Sequence, residues 1–266
     1  MMNSLRLKLL RLQAMSLPEI LYRLRQSVRN RWEKALATHR KTDESTEAFL
    51  LRQNLWRDSP HEKPEDIKIG LLQRVRQRNV FPWQSMPLES LQAVFDCDFA
   101  KAKEATLRQA EEICAHRFRI FDRQVAFPKA IDWQWDALVE KTIPVRFWAD
   151  MDYWKSNTVA EVKYTWELNR HQHFVTLAKA YLLSQDEKYA EELFRQWQDW
   201  IEKNPFQFGI NWTNSLEAGL RLVSWTWALQ MAKHSRYLSP EFHAEILRSV
   251  EQHARFIVGH LSRFSS

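Results

Sequence analysis

Apolar positions recur at three- and four-residue spacing over most of the chain, so helices dominate the predicted elements. The first helix is expected from about Leu17 to Leu36. Leu17, Ile20, Leu21, Leu24, Val28 and Trp32 share one face, and Ser16-Leu17-Pro18-Glu19 has the form of a capping box with proline in the first turn. Residues 40–87 lose the pattern, and Asp58 to Pro64 reads as a turn or linker by its prolines and polar residues. Helical spacing returns at Leu88–Phe95 and Phe99–His116. A loop with strand-like pieces follows from Phe118 to Trp154, dense in aromatic residues. Three long helices are expected at Thr158–Leu183, Asp186–Glu202 and Asn211–Lys233, the second stopped by Asn204-Pro205, and a fourth from Pro240 to about His260. Short connections between long helices predict antiparallel helical hairpins. No strict repeat marks their period, although helix pairs stacked around an axis fit it. The chain divides into a basic amphipathic arm (1–40), an irregular extension (41–87) and a helical domain (88–266).

Composition narrows the class. The 266 residues are 45% hydrophobic and 13% aromatic, enough to bury a core and too apolar for a disordered chain. No apolar run approaches the ~18 residues of a membrane span. Four glycines and nine prolines argue against a β-sandwich, a barrel or a dinucleotide fold. Cys97 and Cys114 cannot staple a fold of this size and are expected as reduced, buried thiols. The net charge of +6 is local. Residues 1–40 hold nine Lys/Arg against Glu19 and Glu33, while the remainder holds thirty basic and thirty-one acidic side chains. The body lacks the excess charge that phosphates require, so no nucleic-acid partner is expected. The arm is expected to dock its apolar face on its own protein with the basic face in water. The alternative is a surface helix for a peripheral membrane site or an acidic partner. Arg6, Lys8 and Arg11 interrupt the first leucines, so no secretory signal is seen; the expected location is cytoplasmic, with the periplasm as alternative.

Candidate chemistry sits on two helices. Asn214, Glu217, Arg221 and Ser224 form one stripe on an otherwise apolar helix. Such a helix should be buried, with its stripe facing a wet cleft or polar partners. Glu217 and Arg221 are spaced for an ion pair, and whether they serve structure or an acidic ligand stays open. Glu161, Thr165, Asn169, Gln172 and Thr176 form a second stripe, with Glu167 and His171 as i, i+4 neighbours. His171 and His173 would point about 200° apart on a helix and so could not chelate one ion. With no His-Glu-x-x-His, paired Cys-x-x-Cys, nucleophile elbow, phosphate loop or dinucleotide fingerprint, neither metal nor cofactor is expected. Thirteen tryptophans suit the apolar faces of sugars.

Lys163-Tyr164-Thr165-Trp166-Glu167-Leu168-Asn169-Arg170-His171, then Gln172-His173 and Leu177-Ala178-Lys179-Ala180-Tyr181, resembles the heparinase II/III family of polysaccharide lyases. Gly209-Ile210-Asn211-Trp212, Ser215-Leu216-Glu217, Arg221 and Ile131-Asp132-Trp133 match the same family. The resemblance implies an all-α fold: an incomplete (α/α) toroid of antiparallel helical hairpins, here with an N-terminal helical arm. Its concave face would hold an acidic polysaccharide under a C-terminal antiparallel β-sandwich that this chain lacks. It implies β-elimination at a uronic acid, in heparin/heparan-like or alginate-like chains. The asparagine, tyrosine and histidines of that chemistry are expected beyond Ser266, so the chain reads as an N-terminal piece, inactive alone. Residues that would shape substrate subsites are Asn169, His173, Asn211, Trp212, Glu217 and Arg221. The alternatives are a non-catalytic acidic-glycan-binding protein and a helical scaffold that binds another protein.

Overall fold

A computed structural model describes residues 15–39, 45–53, 63–151, 153 and 161–261. The expected linker over 58–62, the first turn expected at 158–160, Trp154 and residues 1–14 lie outside them. The chain forms two compact units, one of residues 1–43 with 261–266 and the other of Glu44–His260.

In the first unit, α1 runs Leu17–His39. The Glu19 amide donates to Ser16 Oγ at 3.4 Å, and Arg23–Glu19 and Arg29–Glu33 pair at i, i+4. Among the described residues Leu17, Leu21, Leu24, Val28 and Trp32 are exposed, whereas Ile20 of the same expected face is half-buried, as are Glu19, Tyr22, Gln26, Arg29, Asn30 and Glu33. Tyr22 donates its hydroxyl to the Leu261 carbonyl at 2.7 Å, so the polar side carries the tether.

The second unit holds α2 (Thr46–Arg52), α3 (Pro64–Gln77), α4 (Leu88–Cys97), α5 (Ala100–Cys114), α6 (Val162–Asn169), α7 (Gln172–Ser184), α8 (Glu187–Lys203), α9 (Ser215–Ala232) and α10 (Pro240–Gly259). Two short antiparallel hairpins lie between α5 and α6: β1 (Arg117–Ile120) with β2 (Arg123–Ala126), and β3 (Trp135–Asp136) with β4 (Lys141–Thr142). The extension expected to be irregular therefore carries two helices. Pro64 sits at the start of α3, where its missing N–H costs nothing, so the proline that read as a linker is a helix initiator.

Helices α5, α7 and α9 pack side by side, with α8 against α7, α10 against α9, and α2 and α3 against α10. Two residues join α7 to α8, which forces the chain to reverse. Caps follow the sequence: Asp186 Oδ1 accepts from Lys188 N, Asn214 Oδ1 from Leu216 N and Ser239 Oγ from Phe242 N. Trp133, Trp197, Trp200, Trp212 and Trp225 are fully buried. Each removes roughly 150–250 Å² from water, a gross gain of about 4–6 kcal/mol at ~25 cal/mol per Å².

Two further expectations need correction. Helix α9 is not buried all round: Leu216, Leu220, Val223 and Trp227 lie on its solvent face, while Glu217, Arg221 and Ser224 point inward. Cys97 is exposed rather than buried. Cys114 is a partly buried free thiol, pushed up to about 12 by burial and by Glu192 and Glu111.

Candidate functional site

The predicted helix over 158–183 is broken at His171, which adopts a left-handed backbone (φ 58°) between α6 and α7. The break changes the histidine geometry. The rings of His171 and His173 come edge to face, 5.6 Å between centroids, so the opposed directions expected on one helix do not hold. Among the described residues no group of three or more His, Cys, Asp or Glu could hold a metal ion. His171 Nδ1 accepts from Trp225 Nε1 at 2.7 Å and the ring stacks on Phe174, while its Nε2 has no protein partner. Burial holds His171 well below the ordinary histidine value, with His173, Arg221 and His253 adding to the shift.

Around that break lies a closed polar network. Asn169 donates to the carbonyls of Trp133 (2.9 Å) and Thr165 (2.8 Å) and accepts from Trp200 Nε1 (2.8 Å). Asn211 donates to the Trp133 carbonyl and to Asn204 Oδ1, which also accepts from Gln134. Arg221 spends its guanidinium on His253 Nε2 (3.0 Å), the Asn169 carbonyl (3.1 Å) and the Asn211 carbonyl (2.9 Å), and lies 4.4 Å from the Trp200 ring centroid. No part of Arg221 reaches solvent. Burial pushes it down to about 9, with Glu217 opposing the shift. Glu217 does not pair with Arg221. It takes both oxygens to Arg170, at 2.7 and 2.9 Å, and Arg170 also pairs with Glu167, which the sequence had set beside His171.

An open groove lies beside the network. It has a volume of about 470 Å³ and runs between α5, the β1–β2 hairpin and the start of α7. Strand alternation sends Phe118 and Ile120 toward the core and leaves Arg117 and Arg119 exposed; all four line the groove, with Glu112 and Glu167 as its carboxylates. Arg117 pairs with Glu112, and Arg119 donates to the Phe121 carbonyl at 3.3 Å. Gln124, Gln172 and Thr176 supply neutral hydrogen-bonding groups. His173 closes the inner end, packed on Trp133 and Phe118, and loss of solvent pushes it down to about 3. Near neutral pH it is an uncharged imidazole.

The sequence profile described as Heparinase II/III N-terminus matches residues 57–265. The chain belongs to the heparinase II/III family. Three curated relatives are named heparin-sulfate lyase. The one from Bacteroides stercoris is 31% identical over 130 residues, covering 41% of this chain and 19% of the relative. Those from Bacteroides thetaiotaomicron and Pedobacter heparinus are 34% and 30% identical, covering 37% and 47% of this chain but 14% and 20% of the relatives. The chain thus spans about a fifth or less of the relatives it matches. A heparinase III structure superposes with a TM-score of 0.58 at 22% identity, covering 85% of this chain and 35% of that one. A heparan sulfate lyase structure from Pedobacter heparinus gives 0.52 at 21%, covering 76% and 29%. At those identities the superpositions speak for the fold: a mostly helical, incomplete (α/α) toroid portion.

Within this heparinase II/III toroid portion, the six expected subsite residues separate. Asn169, Asn211, Trp212 and Arg221 are enclosed, and Glu217 is nearly so. Of the six, only His173 lines the groove. The physical reason is that the inner members of the two stripes turn into the core: Thr165 and Asn169 bond to backbone carbonyls, Glu217 to Arg170, and Arg221 to His253 and two carbonyls, while Gln172 and Thr176 of the second stripe reach the groove. Sequence reasoning missed Arg170, Gln134 and His253 as network members, took Asn204 only as a helix stop, and passed over Arg117 and Arg119. The alternation of Arg117-Phe118-Arg119-Ile120 was the signal for the last two.

Proposed function

We propose that the chain is the substrate-binding toroid portion of a polysaccharide lyase acting on a uronic-acid-containing polysaccharide by β-elimination. The observation that carries the reading is the family match over 57–265, joined to relatives named heparin-sulfate lyases. Those names favour a heparin- or heparan-like substrate over an alginate-like one. In this reading the catalytic asparagine, tyrosine and histidines, and a β-sandwich that closes over the sugar, belong to a longer protein, and the present chain has no turnover alone. The groove at β1 and α7 is the place we assign to an acidic sugar: Arg117 and Arg119 meet its sulfates or carboxylates, and Gln124 and Gln172 its hydroxyls. Asn169, Asn211, Trp212, Glu217 and Arg221 then act on binding at one remove, by fixing the wall on which the groove is built.

The test gives heparan sulfate to the longer protein and follows the ultraviolet absorbance of the unsaturated uronate that elimination creates. Absorbance should rise with the longer protein and stay flat with residues 1–266. Binding without any rise would favour a non-catalytic glycan-binding protein, and no binding would favour a scaffold.

A further inference from the structure

The arm helix α1 is built with its apolar side out. Leu17, Leu21, Leu24, Val28 and Trp32 are 59% to 75% exposed. At 100° per residue they fall within an arc of about 80°, a ridge about 24 Å long with no polar side chain interrupting it. Arg25 and Arg31 border the ridge on its two sides, each within about 20° of its edge. Both are exposed. The opposite side is the polar one, tethered through Tyr22 to the Leu261 carbonyl. A contiguous exposed ridge of five large apolar side chains gains free energy by leaving water for an apolar phase.

We propose that α1 is a membrane-surface helix that lays this ridge into an anionic lipid bilayer, with Arg25 and Arg31 reaching the headgroups. Charge decides for lipid of that type: residues 1–40 concentrate nine basic side chains against two acidic ones, while the rest of the chain is nearly balanced. Leucines and valine would sit at the acyl boundary, arginine stems would cover the flanks, and the Trp32 indole suits the interface. No described helix is long and apolar enough to cross a bilayer, so the helix lies on the surface rather than spanning it. The ridge shares no residue with the glycan groove, and the proposal stands whether or not the lyase reading does.

The test is co-sedimentation of the full chain with vesicles of phosphatidylcholine containing about 30% phosphatidylglycerol, against pure phosphatidylcholine. Binding should be at least about tenfold stronger on the anionic vesicles and weaken with added salt. Arg25→Gln and Arg31→Gln should each lower it about fivefold. The triple change Leu21→Gln, Leu24→Gln, Val28→Gln should abolish it while the circular-dichroism melt stays unchanged, because these side chains are exposed. Equal binding to both vesicle types, or binding that survives the triple change, overturns the proposal. So does self-association that the triple change removes in a chain that ignores vesicles, which would assign the ridge to a second copy. Capture by an acidic polypeptide without vesicle binding would likewise assign it to a protein.

Discussion

Replacing Arg221 by alanine separates a structural from a substrate-contacting role for the most buried cation of the fold. The change strips donors from three buried acceptors: His253 Nε2, the Asn169 carbonyl and the Asn211 carbonyl. Each acceptor left dry costs roughly 1–3 kcal/mol. The missing side chain also leaves a void beside Trp200 and Trp212, on which the guanidinium now packs. Against these losses stands relief from burying a charge, whose cost is visible in a guanidinium pushed down to about 9. The net expectation is about 3–5 kcal/mol of destabilisation, a large share of the ~5–15 kcal/mol a domain possesses. Arg221→Lys should recover little, because one ammonium cannot reach three acceptors in divergent directions. Urea unfolding followed by circular dichroism reads this as a midpoint lowered by more than about 1 M. An alanine variant that unfolds with the parent and has merely lost affinity for heparin would refute the reasoning and return Arg221 to the substrate.

Other outcomes follow from the same geometry. The chain should lose stability as pH falls from about 6.5, because the unfolded histidines take up protons there while His243 and His173 resist until about 4 and 3; the slope is ~1.4 kcal/mol per pH unit for each, and His243→Gln should flatten it in urea titrations. Gly209→Ala should cost about 1–3 kcal/mol by thermal melting, since its φ of 90° strains any side chain and a Cβ would come within 3.1 Å of Gln134 Oε1. Glu217→Gln should cost roughly 1–3 kcal/mol in urea by weakening the bidentate salt bridge from Arg170, while Glu104→Gln, whose partner Arg108 is exposed on α5, should change nothing measurable.

Helical spacing carried most of the fold because packing of an amphipathic face is what makes these helices, and Asp186, Asn214 and Ser239 then mark their starts as caps. What spacing could not carry was direction. On α9 the apolar residues outnumber the polar ones, so a rule of burial by hydrophobicity points Leu216 and Val223 inward. The structure instead satisfies Arg221 with His253 on α10, the Asn169 carbonyl at the end of α6 and the Asn211 carbonyl just before α9, partners that periodicity along α9 does not reveal. The break at His171 was equally hidden, since no glycine or proline marks it; the left-handed turn is accompanied by the Trp225 hydrogen bond to one ring nitrogen and by Phe174, three residues on, against the ring face. Several residues of the motif words that carried the resemblance, among them Asn169, Asn211 and Arg221, are members of the buried network. Their role was not legible, because the same words serve a scaffold or a sugar until burial is known.

In the proposed function the buried network of α6 and α9 is sealed from solvent, and an acidic sugar binds instead at β1 and the start of α7. Titrating a heparan sulfate oligosaccharide into the chain, with NMR observation of arginine side chains, tryptophan indoles and backbone amides, tests it directly. Shifts should cluster at Arg117, Arg119 and Gln172, with the Arg221 guanidinium and the Trp200 and Trp225 indoles unmoved. Shifts centred on Arg221 and those indoles, with the hairpin silent, would contradict it.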